Sequence, residues 1–394
     1  MRRFVNRFAE AFRKADLVLL LLCVVATAFG CLMIASTTNA TSTGPLRYLI
    51  IQIIAATAGV ILYVIMSSFD TEFFSEHRTV LVVINAALLL MLIPFGVTIS
   101  GNRSWLSFPF LPFNIQPAEI CKITYILIMA SVMASHQNQI SSPSSIAHMV
   151  LHLGLLFGMN YIISGDAGVS LIFAFIFIGM AFTGGVSLFW FAVAIGALVI
   201  LSPIVWNGIM DDYQKLRIEV IFNPALDPDG IGPRYHTVSS LRSLTGGGLT
   251  GQGLFQGHRT QTNGVLYAQH TDYIFSAIGE ELGFVGCALV LVLLALIVAR
   301  CIWVGIRSQD TLRRLVCFGA ASALIFQIVV NVGMCIGVVP VIGLTLPFIS
   351  YGGSSIITLY GMLGLVSGVY ARPNATSHER YIRPPNQSLG GYIR

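Results

Sequence analysis

The sequence predicts an all-α integral membrane protein of about ten transmembrane helices, with one large loop on the outer side of the membrane. Of its 394 residues, 55% are hydrophobic and only 10% are charged, whereas soluble domains carry about 25% charged residues. So few charges cannot coat a soluble globule of this length, which excludes soluble enzyme folds. The formal net charge of +5 does not indicate nucleic-acid binding, because in a membrane chain the positions of the charges carry the information.

Each predicted helix is an apolar stretch close to the roughly 20 residues that cross a bilayer core. These stretches are 17–36, 47–68, 79–99, 117–135, 147–164, 168–186, 187–206, 281–305, 313–337 and 354–371. The chain therefore divides into a basic N-terminal segment (1–16), a polytopic membrane domain (17–371) and a C-terminal tail (372–394).

The placement of lysine and arginine sets the predicted orientation, because cytoplasmic connections carry an excess of both. With ten spans the two termini lie on one side. That side holds most of the basic residues, while the short connections opposite hold only Arg47, Arg103 and Lys122. We therefore expect both termini to be cytoplasmic and the loop 207–272 to face outward.

The loop 207–272 is the longest connection between predicted spans. A connection of this length without strong helical periodicity is usually functional or disordered, and apolar residues such as Ile218, Leu244 and Leu254 argue against disorder throughout. The run 246–253 contains a literal GxGxxG. No buried strand precedes it, so the glycines predict a flexible turn or an anion-binding nest of N–H groups, not a nucleotide site.

Ionisable side chains in spanning segments are costly, and each one is a candidate functional residue. Glu119 and Lys122 lie three residues apart near the outer start of the fourth span, where one helix face brings them together. A structural ion pair and a functional role are both open for them. Asp166 lies between the fifth and sixth spans, where it is either a site residue or the N-cap of the sixth helix.

Further polar residues gather toward the same side. Asp272 and Glu280 lie where the loop enters the eighth span, and Glu280 and Glu281 could instead favour the positive end of a helix N-terminus. Arg103 and Trp105 occupy the connection after the third span, where Trp105 could also be an interfacial anchor. Because carboxylates and cations meet at one membrane face, the sequence predicts a polar site there.

The segment 340–355 interrupts the apolar pattern between the last two spans. It contains two prolines and three glycines, which cannot form a continuous helix. Irregular backbone at membrane depth persists only where it packs on protein or lines a wet cavity. Ser350 and Ser354 are therefore candidate site residues, and a purely structural re-entrant turn is the alternative.

Four blocks of the sequence are characteristic in combination. They are Gly101-Asn102-Arg103-Ser104-Trp105 with Gln116-Pro117-Ala118-Glu119-Ile120-Cys121-Lys122, then Gly165-Asp166-Ala167-Gly168, then His270-Thr271-Asp272-Tyr273-Ile274-Phe275 with Gly279-Glu280-Glu281-Leu282-Gly283, and the segment 340–355. Together they resemble the SEDS family (shape, elongation, division and sporulation), the peptidoglycan polymerases that include RodA, FtsW and SpoVE. The loop most resembles that of the RodA branch. The chain departs from the family pattern in two places. It has Leu266-Tyr267-Ala268-Gln269 where a Leu-Pro-Glu commonly precedes the His-Thr-Asp, and Gly165-Asp166-Ala167-Gly168-Val169 where the family often has Pro-Asp-Leu-Gly-Thr.

The resemblance implies a glycosyltransferase that extends glycan strands from lipid II, an undecaprenyl-pyrophosphate-linked disaccharide peptide, at the outer face of the bacterial cytoplasmic membrane during cell elongation. It also implies a class B penicillin-binding protein as partner. We expect Asp272 to be the general base that takes the proton from the acceptor sugar. Arg103, Lys122 and Arg217 are expected to offset the charge of the pyrophosphate. The other expected substrate-binding residues are Trp105, Glu119, Asp166, His270, Glu280, Ser350 and Ser354.

Two other functions stay open on the sequence alone. A lipid II flippase or another transporter would also have broken helices and intramembrane charges, although here the charges are skewed outward and no inverted repeat is detectable. The third possibility is a non-catalytic scaffold for a penicillin-binding protein. The cofactor is unknown: a divalent cation such as Mg²⁺ or Mn²⁺ could bridge the pyrophosphate, but no ligand spacing in the sequence requires one.

Overall fold

The computed structural model describes residues 12–39, 45–99, 101–109, 111–208, 210–262 and 264–372. Over these ranges the protein is almost entirely helical, and ten helices are long and apolar enough to cross a membrane. The helices are α1 (Leu17–Thr37), α2 (Pro45–Ser68), α3 (Thr71–Glu76), α4 (Arg78–Leu90), α5 (Leu92–Phe95), α6 (Pro117–Ser135), α7 (Pro143–Ser164), α8 (Ala167–Gly184), α9 (Leu188–Gly208), α10 (Asp212–Phe222), α11 (Tyr235–Gly246), α12 (Ile274–Arg307), α13 (Thr311–Cys335) and α14 (Gly353–Ala371). The predicted all-α membrane fold is confirmed.

Three predicted span boundaries were wrong by four residues or more. The fifth span begins at Pro143 and not at 147. The third span ends at Phe95 and not at 99, because β1 (Gly96–Ile99) pairs antiparallel with β2 (Asn102–Leu106), with Val97 opposite Trp105. The eighth helix begins at Ile274 and not at 281, but Gly283 (φ 67°, ψ −163°) breaks it. The helix therefore has a kink at Gly283, two residues after the predicted start of the span.

The region between α9 and α12 contains two helices, α10 and α11, that the weak periodicity of the loop did not predict. Asp211 and Gln214 begin α10 with a capping box, in which each side chain accepts a hydrogen bond from the other residue's main-chain N–H. After α11, Gly247 and Gly251 lie directly against main-chain atoms of α12, where a Cβ would collide. Close packing therefore requires two glycines of the 246–253 run, Gly247 and Gly251.

Several ion pairs and hydrogen bonds define one end of the bundle. Arg300 lies 2.8 Å from Asp16, which caps α1, and Arg313 lies 3.2 Å from Asp70. Arg372, after α14, donates to the main-chain oxygen of Phe69 at 3.1 Å. This is the end that the distribution of basic residues predicts to be cytoplasmic, and its side of the membrane stays a prediction.

The burial of the helices differs strongly across the bundle. In the 18-residue apolar stretch of α6, 72% of the residues are buried, and the shares for α13 and α14 are 67% and 78%. In contrast, α9 has no buried residue. Helices α6, α13 and α14 therefore form the centre of the bundle. α9 lies at its periphery, attached near its beginning by the indole of Trp190, which donates to the carbonyl of Ser141 at 2.8 Å.

Candidate functional site

Asp272 lies where the loop region meets α12, at the end of the bundle opposite the Asp16–Arg300 pair. Its main chain is fixed, because Nδ2 of Asn331 donates to its carbonyl oxygen at 2.8 Å. Its partly buried carboxylate, in contrast, has no hydrogen bond or ion pair to any other residue in the described part of the chain. Burial and, to a smaller extent, the charge of Asp166 together raise the pKa of Asp272 to about 6. Such a group can accept a proton near neutral pH.

The broken segment, residues 340–352, passes beside this carboxylate. A Cβ on Gly343 would lie 3.8 Å from Oδ2 of Asp272. Ser350 anchors the segment, since its hydroxyl donates to the carbonyl of Thr271 at 2.6 Å and accepts from the N–H of Leu346 at 2.9 Å. Ser350 is therefore in position to fix the geometry around Asp272, and its predicted contact with substrate stays a prediction.

Asp166 connects two of the four sequence blocks, its own and the first. Its Oδ1 accepts from the N–H of Val169 at 3.0 Å, which confirms the predicted N-cap. Its Oδ2 lies 3.3 Å from Nε2 of Gln116 and 3.4 Å from the hydroxyl of Ser104. Burial raises the pKa of Asp166 above its ordinary value. The carboxylate thus caps α8 and also ties the β-hairpin and α6 to the site.

Glu119 and Lys122 form the predicted ion pair. The two side chains are buried, and Nζ of Lys122 lies 2.8 Å from Oε1 of Glu119. Thr358 donates to the other glutamate oxygen at 2.9 Å, and Ser354 accepts from the main-chain N–H of Gln116 at 3.4 Å. These contacts join α6 to α14 next to Asp166, so the structural alternative for the pair is confirmed. The substrate contacts predicted for Glu119, Lys122 and Ser354 stay predictions.

Two further residues of the predicted site, His270 and Arg217, also lie at this end of the bundle. His270 packs its ring against Tyr48 and Tyr351, with centroids 4.9 and 5.8 Å away. Burial lowers the pKa of His270, which favours a neutral imidazole. Arg217, on α10, donates to the carbonyl of Val341 at 3.4 Å and so reaches the broken segment from the other side.

Glu280 has a different environment from the one that substrate binding requires. Its side chain is fully buried. Its oxygens accept from the main-chain N–H groups of Arg259 at 2.7 Å and Thr260 at 3.1 Å, and from the Thr260 hydroxyl at 2.7 Å. The Glu280 carboxylate therefore holds the loop to α12, and its predicted contact with substrate stays a prediction. Glu281 likewise bonds the hydroxyl of Ser36 at 2.6–2.7 Å, so neither glutamate serves a helix N-terminus.

The hairpin residues are not brought into contact with Asp272. The exposed Arg103 donates to the main-chain oxygen of Gly96 at 3.3 Å and to that of Ile93, so its guanidinium closes the turn between α5 and β2. Trp105 is partly exposed on β2. The substrate-binding predictions for Arg103 and Trp105 gain no support from these contacts.

Sequence reasoning missed Asn331 and Gly343 as site residues. Asn331, which lies on α13, also donates to the carbonyl of Leu344 at 2.6 Å. One side-chain amide therefore holds both Asp272 and the broken segment. An asparagine in an apolar span is itself a signal of function and could have been used. In the described part of the chain, no group of three or more histidine, cysteine, aspartate or glutamate side chains is placed to hold a metal ion, and the divalent cation stays an open question.

Comparisons with known proteins agree with this architecture. The model of the family that comprises FtsW, RodA and SpoVE, described as "Cell cycle protein", matches residues 16–374. The peptidoglycan glycosyltransferase MrdB of Escherichia coli (strain K12) is 32% identical over 314 residues, which covers 79% of this chain and 82% of MrdB.

Two solved structures are similar over nearly the whole chain. One, described as "Structural coordination of polymerization and crosslinking by a peptidoglycan synthase complex", contains a chain with a TM-score of 0.73 and 28% identity, covering 90% of this chain and 97% of that one. The other is the crystal structure of the rod shape determining protein RodA of Thermus thermophilus, with a TM-score of 0.65 and 25% identity, covering 92% and 98%. The chain belongs to the FtsW/RodA/SpoVE family, the SEDS family that its four sequence blocks resemble.

Proposed function

We propose that this protein is a peptidoglycan glycosyltransferase that polymerises lipid II into glycan strands at the outer face of the cytoplasmic membrane, for cell elongation and shape. MrdB, a relative of similar length, carries the same activity in its name. The observation that carries the mechanism is the Asp272 carboxylate, which is unpaired within the described ranges and has a pKa raised to about 6. A carboxylate in that state can act as a general base at physiological pH.

The reaction needs one proton transfer and one displacement. Asp272 takes the proton from the 4-hydroxyl of the acceptor sugar as the acceptor oxygen attacks the anomeric carbon of the donor. The new glycosidic C–O bond forms while the bond to the pyrophosphate breaks, with inversion, and undecaprenyl pyrophosphate leaves with the electron pair. A well-placed base of this kind contributes about 10²–10⁴-fold to the rate.

The surroundings of Asp272 serve to hold it in place. Asn331 and the Ser350–Thr271 hydrogen bond fix the main chain on both sides of the carboxylate. Asp166 lies close enough for its charge to raise the pKa of Asp272. This brings the pKa of the base closer to neutral pH. Lys122 lies 2.8 Å from Glu119, so this pair positions α6, and a contact of Lys122 with the leaving pyrophosphate stays a prediction.

Lipid-linked substrates must reach the site from the bilayer. α9 has no buried residue and directly precedes the loop region that leads to Asp272, so lipid can surround the helix on this flank. We infer that the undecaprenyl chain approaches the site beside α9. Because the proposed reaction takes place at the outer face, the opposite end of the bundle, with both termini, lies in the cytoplasm. The excess of basic residues at that end predicts the same orientation.

A class B penicillin-binding protein is the proposed partner. The similar structure described as a peptidoglycan synthase complex couples polymerization and crosslinking, and strands made by this chain need a crosslinking activity to become a wall. The exposed apolar residues on the membrane-facing side of α12, such as Phe284, Leu289 and Val292, leave room for a transmembrane helix of such a partner.

The function is tested by incubating the purified full-length chain, with and without the partner, with fluorescent lipid II. Moenomycin is added to inhibit contaminating polymerases of another class. We expect glycan strands in the presence of moenomycin. Movement of lipid II across the bilayer without polymer would establish the transporter, and neither activity, with the partner present, would leave only the scaffold.

A further inference from the structure

Four basic side chains lie together at the end of the bundle where α1 begins and α14 ends. His136 directly follows α6, and its ring centroid lies 5.2 Å from that of His148 on α7. The ring of His148 lies 5.0 Å in the same way from that of His152, one turn further along α7. Arg78, the first residue of α4, donates to the hydroxyl of Ser135 at 3.4 Å, next to His136. Arg78 and the three histidines form a basic cluster.

No carboxylate neutralises the basic cluster. Among the residues that the structure describes, none of its four members forms an ion pair, whereas Arg300 and Arg313 at the same end are each paired with an aspartate. Glu76, two residues before Arg78 in the chain, is exposed. The histidines are not placed to hold a metal ion either, within the described ranges. The cluster is therefore suited to an anion.

A groove leads from the basic cluster into the membrane. It runs between α4, α6 and α7, and its lining includes Ala86, Ile128 and Leu155, one from each of these helices, together with His152 of the cluster. Only 22% of the apolar stretch of α4 and 17% of that of α7 is buried. This flank of the bundle therefore faces lipid, and the groove is open to hydrocarbon chains.

Two buried polar groups of the groove lack a partner. Asn85 of α4 and Tyr125 of α6 line it and are 1% and 0% exposed. Oδ1 of Asn85 accepts from the hydroxyl of Thr124 at 2.5 Å, but Nδ2 of Asn85 and the Tyr125 hydroxyl have no hydrogen-bond partner among the described residues. A buried donor without an acceptor costs about 1–3 kcal/mol. The groove therefore calls for a molecule that carries oxygen acceptors.

The ligand must be elongated along the helices. Arg78 and Asn85 are seven residues apart on α4, which is about 10 Å along the helix axis. A molecule that reaches both therefore needs an anionic group at the end of the bundle, an acceptor deeper in the membrane and an apolar part between the helices. A transmembrane helix of another protein fits less well, because its main-chain carbonyls are already bonded within the helix.

We propose that the basic cluster and the groove bind one anionic phospholipid of the adjacent leaflet. Its phosphate contacts Arg78, His136 and His148, an ester oxygen accepts from Asn85, and one acyl chain lies in the groove. The planar guanidinium of Arg78 can bind two phosphate oxygens at once. Basic pockets between transmembrane helices at the cytoplasmic side are known to bind anionic lipid head groups. The site lies at the opposite end of the bundle from Asp272, so the proposal does not depend on the proposed function.

The test titrates the purified full-length protein in detergent with phosphatidylglycerol or with phosphatidylcholine of the same acyl chains and counts bound lipids by native mass spectrometry. We expect phosphatidylglycerol to bind at least about tenfold more tightly. Arg78→Gln combined with His148→Gln should weaken its binding about 10- to 100-fold, since a hydrogen bond to a charged group contributes a factor of about this size. The matched control is Arg307→Gln, because Arg307 is an exposed arginine at the same end that lies on the Trp303 ring. Its affinity should stay within twofold of the wild type.

A second variant tests the groove without changing the charge. Ala86→Phe fills the groove and should also weaken phosphatidylglycerol binding, while thermal unfolding in phosphatidylcholine stays unchanged for this variant and for the double variant. Equal affinity for the two lipids, or wild-type affinity in the double variant, would overturn the proposal. Wild-type affinity in Ala86→Phe would refute the acyl-chain groove. Displacement of the lipid by inorganic phosphate alone would make soluble phosphate the occupant and would contradict the assignment to a lipid.

Discussion

Breaking the Glu119–Lys122 ion pair tests how the centre of the site is held together. Nζ of Lys122 lies 2.8 Å from Oε1 of Glu119, and the two side chains are only 5% and 6% exposed. Water therefore cannot replace a missing partner. In Lys122→Met, the glutamate keeps only the hydrogen bond from Thr358 at 2.9 Å, and a buried carboxylate is left without a counter-charge.

The size of the effect follows from the burial of both groups. Removing one partner of a buried ion pair costs about 3–5 kcal/mol, so we expect Lys122→Met to lower the free energy of unfolding by that amount. Adding Glu119→Gln removes the uncompensated charge and should recover at least half of the loss. Because each single variant leaves a buried charge unpaired and the double variant leaves none, the two positions should show a coupling energy of at least about 3 kcal/mol, the upper end for residues in contact.

The measurement is the unfolding free energy of the wild type, both single variants and the double variant in mixed micelles. The pair Lys215–Asp212 is the control, because its ions are 3.6 Å apart and the aspartate side chain is fully exposed. Lys215→Met should cost less than about 1 kcal/mol. A double variant as unstable as Lys122→Met, or a Lys122→Met protein as stable as the wild type, would refute the reasoning.

Three further predictions test the base, the kink and the orientation. Because only the ionised carboxylate accepts a proton and burial raises the pKa of Asp272 to about 6, the single-turnover rate should be level above about pH 7 and fall about tenfold per pH unit well below pH 6; a rate unchanged down to about pH 5 contradicts this. Gly283→Ala places a Cβ at φ 67° and 2.5 Å from the carbonyl oxygen of Leu249. Thermal unfolding should therefore show a loss of stability greater than the cost of backbone strain alone, which is about 1–3 kcal/mol; an unchanged stability argues against the kink. In a cysteine-free background, an impermeant thiol reagent applied to intact cells should label Leu249→Cys and not Gln309→Cys, both exposed positions; the reverse pattern inverts the orientation.

Helix positions could be predicted from the sequence because spanning a bilayer imposes a length and a composition that apolar stretches display directly. Local rules also sufficed where one residue determines the contact. Asp166 before a helix predicted its cap, and the spacing of Glu119 and Lys122 predicted their pair.

The sequence did not predict features that depend on contacts between distant segments. α10 and α11 carry weak apolar periodicity, since one face of α11 packs on α12 while another borders a cavity between the loop helices and the broken segment. Glu280 resembled a site residue because it follows Asp272 closely. It turns into the loop because the N–H groups of residues 259 and 260 need an acceptor there.

The central claim is that Asp272 is the base of a lipid II polymerase. The most direct test is the single-turnover rate of strand formation by purified Asp272→Asn, compared with Asp229→Asn, which changes an exposed aspartate of the same loop region. We predict a rate about 10²–10⁴-fold below the wild type for Asp272→Asn, with normal unfolding and normal lipid II binding, and a wild-type rate for Asp229→Asn. Strand formation by Asp272→Asn within about tenfold of the wild type would contradict the account.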